Sequence, residues 1–263
     1  MPLPLLAHQA PILPLKLWRP AAFNGTALVV GSIAPDLEYL VNRGPWATGF
    51  GHTLASQFLF CLPVTLLVVL LVGHLHLGEV VAARFARLRW LGDAATDVTR
   101  DGGLFRAFAS ALCGSFSHLA LDAFTHELLP RWLPVHVFHV GHLKAATATV
   151  VQLVVSVLGV VVTLWVLRRM SMQNTTEAPA RRPGAAWLVL GAMAGMALGL
   201  QQAMPAIRHP DWYFDAGRLY VWGHTAFFVA CGLVTGVLLG AVPLALWDRR
   251  SYGNSTSGRS SPS

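Results

Sequence analysis

The chain has 263 residues, of which 54% are hydrophobic and 12% charged, and its mean hydropathy is +0.54. Soluble domains carry about 25% charged residues, which excludes an ordinary soluble globule, and 10% aromatic residues among long aliphatic runs exclude a disordered coil. The net charge of +7 resides in arginines that flank apolar runs, so it reads as membrane topology and not as a nucleic-acid-binding stripe.

The first twenty residues contain four prolines before Lys16 and no basic start, so no cleaved signal peptide is expected. Ala21–Val41 is apolar but interrupted by Gly31 and Pro35, which predicts a re-entrant or half-buried helix and not a span. Five segments then approach the roughly 20 residues that cross about 30 Å of hydrocarbon: Leu54–Leu77, Leu104–Thr125, Ala145–Leu167, Ala185–Met204 and Val221–Trp247. The expected fold class is all-α, a polytopic helical membrane protein with about five spanning helices plus the N-terminal re-entrant helix. Residues 1–170 form a His/Asp-bearing membrane domain, 171–184 a polar linker, 185–248 a two-helix portion and 249–263 a low-complexity tail expected to be disordered. Cys61, Cys113 and Cys231 lie singly in separate apolar segments without CxxC spacing and read as packing residues.

Lys and Arg in the connections give the orientation. Arg84, Arg87, Arg89, Arg100, Arg168, Arg169, Arg181, Arg182, Arg249, Arg250 and Arg259 fall on one side, eleven in all. Lys16, Arg19, Arg43, Arg131, Lys144, Arg208 and Arg218 fall on the other, seven in all. The bias places the C-terminus in the cytoplasm and the N-terminus outside.

The second span reads SFSHLALDAFTHELLP and sets His118, Asp122 and His126 at i, i+4 and i+8. On an α-helix these fall within about 80° of one face and rise about 12 Å. His and Asp at i, i+4 chelate a single ion, whereas His126 reaches a second ion or binds from a frayed end. Gly114 leaves room on the same face. An ionised Asp in a spanning helix costs on the order of 2.5–3.5 kcal/mol on insertion scales, so Asp122 needs a partner. His8 in LLAHQAP, Asp36 in SIAPDLEYL and His52 in GFGHTLAS fall at the same face by the charge count, which used no His or Asp position. Together they offer four to six His/Asp ligands, a set that suits Zn, Mn or Fe better than Ca.

In PVHVFHVGH, His136 and His139 read as interfacial polar tips, while His142 opens a helix on the ligand face and joins the metal candidates. His224 is a weaker candidate, and His74 and His76 belong to the opposite face. Glu38 and Glu127 neighbour candidate ligands and read as surface glutamates, with orienting a ligand or acting as general base as the alternative. No GxSxG, P-loop, GxGxxG or HExxH motif is present.

With these motifs in hand, the chain resembles an uncharacterised bacterial integral-membrane family with a domain of unknown function. The resemblance rests on LAHQAPILPL, GSIAPDLEYL, GHTLASQFLFCLP and SHLALDAFTH, across roughly residues 1 to 165. A looser similarity runs to membrane-bound predicted metal-dependent hydrolases, with Gly51-His52-Thr53 here in place of their Thr-His-Ser. A remote one runs to zinc-dependent phospholipase C and P1-type nucleases through the helical His-x-x-x-Asp. The resemblance implies a helical metal-dependent hydrolase with His8, Asp36, His52, His118, Asp122 and His126 at its site. The expectation is one or two divalent ions, zinc first, with Asp36 and Asp122 as the catalytic carboxylates and either of them bridging two ions. The substrate would be a phosphodiester or another ester at the non-cytoplasmic membrane face, and the partners membrane lipid and that substrate. The competing expectation is a non-enzymatic membrane scaffold or small transporter that binds a metal or relays protons through the same cluster.

Overall fold

In the computed structural model, residues 7–38, 49–84, 103–128, 132, 137–140, 143–173, 184–208 and 218–257 are described. Among the described residues, five helices are long and apolar enough to cross a membrane: Leu54–His74, Gly103–Thr125, Val150–Met170, Ala185–Pro205 and Val221–Asp248. The architecture is that of an all-α polytopic membrane protein.

The chain opens with a hairpin of two short helices, α1 (Leu13–Trp18) and α2 (Gly25–Ile33), the second prolonged by a 3-10 turn over Ala34–Leu37. Pro35 tightens this turn at its start, and the Asn24 side chain caps α2 by accepting from the Ala27 amide at 2.9 Å. The buried Lys16 ammonium holds the connecting turn, donating to Pro20 O at 2.8 Å and Phe23 O at 3.0 Å.

Helix α3 (Leu54–His74) follows, π-wound over Gln57–Cys61. It was expected to reach Leu77, but it ends at His74. Leu75 caps it, and His76 takes a left-handed conformation at φ 50°, a C-terminal cap geometry that histidine tolerates better than bulkier residues. Helix α4 (Leu77–Arg84) starts afresh. Helix α5 (Gly103–Asp122) continues as a π-wound segment over Ala123–Leu128. Then come an antiparallel ribbon of β1 (Val137–Val140) and β2 (Leu143–Ala146), and α6 (Thr147–Gln173). Ala145 and Ala146, expected to open the third span, pair instead with Phe138 and Val137, so the ladder and not a helix satisfies their backbone.

Two backbone-close crossings order the bundle. Gly31 of α2 meets Gly114 of α5: a Cβ on either would overlap backbone of the other helix, at Ala111 O or at Leu28 O. Helices α7 (Ala185–Arg208) and α8 (Arg218–Ser257) form the second, with Gly191, Gly195 and Gly199 of α7 facing Phe228, Gly232 and Gly236 of α8. The buried guanidinium of Arg84 ties α4 to α8, donating to both Asp248 carboxylate oxygens at 3.1 and 3.2 Å. Helix α8 runs on to Ser257, into the tail expected to lack structure. Propagating a helix needs no new nucleus and adds one bond per residue.

The hairpin turn lies at the end of the bundle opposite the ligand residues. Leu13 is buried with Val166 and Met170 near the far end of α6, Leu17 packs on the same cluster, and the Asn24 amide bonds Ser110 Oγ two turns from the start of α5. Lys16 and Arg19 therefore join the basic side. Moving these two residues changes the count from eleven against seven to thirteen against five.

Candidate metal centre

The glycine crossing brings the C-terminal turn of α2 onto the face of α5 that carries His118 and Asp122. His118 is fully buried, and its Nδ1 lies 2.7 Å from Ser32 O. A carbonyl only accepts, so Nδ1–H donates and the tautomer leaves Nε2 with its lone pair toward the cluster. The 3-10 turn after α2 projects the buried Asp36 toward the same point.

His52 arrives on a second 3-10 turn, Phe50–His52, held from every side. The buried Glu38 carboxylate accepts from the Gly51 amide, and a Cβ at Gly51 would overlap Pro35 O. Ser56 Oγ donates to Gly51 O at 2.7 Å and Gln57 Nε2 donates to it at 3.0 Å. Thr53 Oγ1 caps the following helix by accepting from the Ser56 amide.

Four atoms converge from these segments. His52 Nε2 lies 3.3 Å from His118 Nε2, 3.5 Å from Asp36 Oδ1 and 3.3 Å from Asp122 Oδ2. His118 Nε2 lies 3.7 Å from Asp36 Oδ1 and 3.4 Å from Asp122 Oδ2. Ligands at about 2.0–2.2 Å from a tetrahedral ion stand about 3.3–3.6 Å from one another, because the edge is about 1.6 times the bond. Every separation involving a histidine nitrogen here matches that edge to about 0.1 Å. Asp36 Oδ1 is moreover buried without a hydrogen bond among the described residues, a position that a cation would compensate.

His8 stacks on His118, with ring centroids 4.0 Å apart, and its Nε2 stands 4.0 Å from Asp122 Oδ1. Burial, and then the neighbouring His118, push its pKa down to about 4, which keeps it neutral. Burial works in the same direction at His52, but the carboxylates of Asp122 and Asp36 outweigh it and push its pKa up to about 9.

Residues 1–246 match the family described as Domain of unknown function (DUF4184). The chain belongs to the DUF4184 family. No curated protein and no solved structure matches it.

Of the candidate site residues, the DUF4184 chain brings His8, Asp36, His52, His118 and Asp122 together. His126 lies in the π-wound segment after Asp122, where the i→i+5 winding ends the 100° count, and its side chain is outside the described residues, as is that of Glu127. His136 and His142 lie outside the described residues as well. His139 pairs with Lys144 in the ribbon, and His224 sits in α8, with neither side chain described. His74 and His76 are exposed at the far end of α3. Glu38, expected on the surface, is buried against the Gly51 amide, because the turn carrying His52 folds back over the Pro35 turn. Glu38 takes the orienting place that the sequence offers it only as the alternative, and Ser32 and Gln57 are positioning residues that no sequence motif singled out. The Gly-Ser preceding Pro-Asp was the available signal for Ser32.

Proposed function

We propose that this protein is a membrane-bound metal-dependent hydrolase acting on a phosphodiester or another ester at the non-cytoplasmic membrane face. The observation that carries the reading is the set of four donor atoms from three chain segments, with every separation that involves a histidine nitrogen close to a tetrahedral edge. His52, His118, Asp36 and Asp122 would hold the ion, and two carboxylates with two imidazoles suit zinc, with manganese or iron as substitutes. A bound divalent ion supplies Lewis acidity and lowers the pKa of its water from about 15.7 to about 7.

The chain's own contribution is orientation and charge. Two carboxylates balance a dication at a depth where net charge is costly. Ser32 fixes the His118 tautomer, and Glu38 fixes the turn that carries His52. The His52 and Asp122 side chains are 22% and 21% exposed while those of His118 and Asp36 are sealed, so His52 and Asp122 form the open side by which water and substrate enter. Beneath the site, Ala27, Leu62, Ala107 and Ala111 pack into an apolar plug. That one-sided access favours hydrolysis over transport. The thirteen-to-five basic bias supports a cytoplasmic C-terminus and an outward-facing site.

The test is hydrolysis of bis(p-nitrophenyl) phosphate and of a panel of phospholipids by detergent-purified protein. Activity should need added zinc, vanish with a chelator, and fall at least 100-fold in His118→Ala and Asp122→Ala. Zinc flux into proteoliposomes without ester hydrolysis would replace the enzyme reading with transport.

A further inference from the structure

His8 lies against this cluster in a way that one ion does not explain. Its ring plane and that of His118 are inclined by only 21°, with centroids 4.0 Å apart. A cation held by imidazole lies in the ring plane about 2.0–2.1 Å from the nitrogen, and planes so nearly parallel meet only about 10 Å away. No single ion sits in both. With the ring centroids 4.0 Å apart, an ion held by His8 would instead be a close neighbour of one held by His118, on the scale of two-metal sites.

Asp122 has the disposition of a bridge between two such positions. Its Oδ2 faces His52 and His118 at 3.3 and 3.4 Å, and its Oδ1 faces His8 at 4.0 Å. Asp36 reaches both as well, since His8, Asp36 and His118 each present a ligand atom within 4.8 Å of the others. His8 Nδ1 is buried and makes no hydrogen bond among the described residues, so no such bond at that nitrogen explains why the ring is held here.

We infer that the centre is dinuclear: His52 and His118 serve one divalent ion, His8 serves a second, and the carboxylates of Asp122 and Asp36 span the two. This rests on the reading of the cluster as a metal centre. Such a pair of cations would suit a phosphodiester, whose attacking and leaving oxygens it would clamp.

The experiment is metal stoichiometry by elemental analysis on the full chain in detergent, after zinc loading and removal of loose ion. Wild type should hold two ions per chain, and His8→Ala and the stack-preserving His8→Phe should each hold one. Manganese loading of the wild type gives a readout that needs no variant: an exchange-coupled pair in electron paramagnetic resonance supports two neighbouring ions. An isolated six-line signal, one ion in the wild type, or two ions retained in both His8 variants would each overturn the dinuclear assignment while leaving the mononuclear centre in place. No ion in the wild type would overturn the metal centre itself.

Discussion

At His52 a proton would compete with the proposed cation for the same Nε2. Its pKa of about 9 in the metal-free fold exceeds the ordinary 6.5, so its stabilising contribution is complete below pH 6.5 and fades as pH rises through about 9. His8 is displaced the other way, to about 4, and withdraws stability as pH falls below 6.5. The chelated protein should therefore have its highest melting temperature near pH 6.5. Ion binding must displace the His52 proton, so affinity strengthens with pH by up to about tenfold per unit until pH 9. The melting optimum of the zinc-loaded protein should accordingly move to higher pH in a thermal-shift series. An identical optimum with and without chelator would mean that His52 does not bind the ion. The residues of this competition were legible in the sequence because His and Asp are conspicuous in apolar company, and an i, i+4 pair shares a helix face whatever the tertiary fold. Glu38 was legible only as an alternative, since its role depends on a contact 13 residues away that no local pattern encodes.

Among the elements, the crossing of α2 and α5 sets the precision of the centre. Gly114→Val would force the backbones apart, break the Ser32–His118 hydrogen bond, and cost about 1–3 kcal/mol of stability by overpacking. Glu38 gives a gentler probe. Glu38→Ala should weaken zinc about 10–100-fold, the usual effect of losing a group that orients a ligand. Glu38→Gln keeps an acceptor for the Gly51 amide and should recover most of that loss in competition titrations with a chromophoric chelator. Equal affinity in wild type and Glu38→Ala would show that the His52 turn holds itself. Long apolar runs made the spans legible, and Gly31 and Pro35 announced the short α2. The π-wound segments after His52 and Asp122 escaped because their hydrophobic pattern differs from α-winding by a single inserted residue.

For the molecule as a whole, the decisive question is which way the cluster faces. In a background lacking Cys61, Cys113 and Cys231, a cysteine at Gly44 should react with an impermeant maleimide in intact cells. Cysteines replacing Arg19 or Ser257 should react only after permeabilisation. The reverse pattern would invert the orientation and leave the metal centre untouched, because its ligands share one end of the helices in either case. The placement of Arg19 was beyond sequence reading, since a turn's depth is set by the neighbours it packs against. The N-terminal hairpin also carries a consequence for biogenesis. It is synthesised before α5 and α6, but α2 with its 3-10 turn rises only about 20 Å, too little to cross a bilayer alone. The glycine seat on α5 and the cluster on α6 emerge from the ribosome later. His8 and Asp36 must therefore wait at the membrane for partners not yet translated, and the centre closes only once the third span has been made.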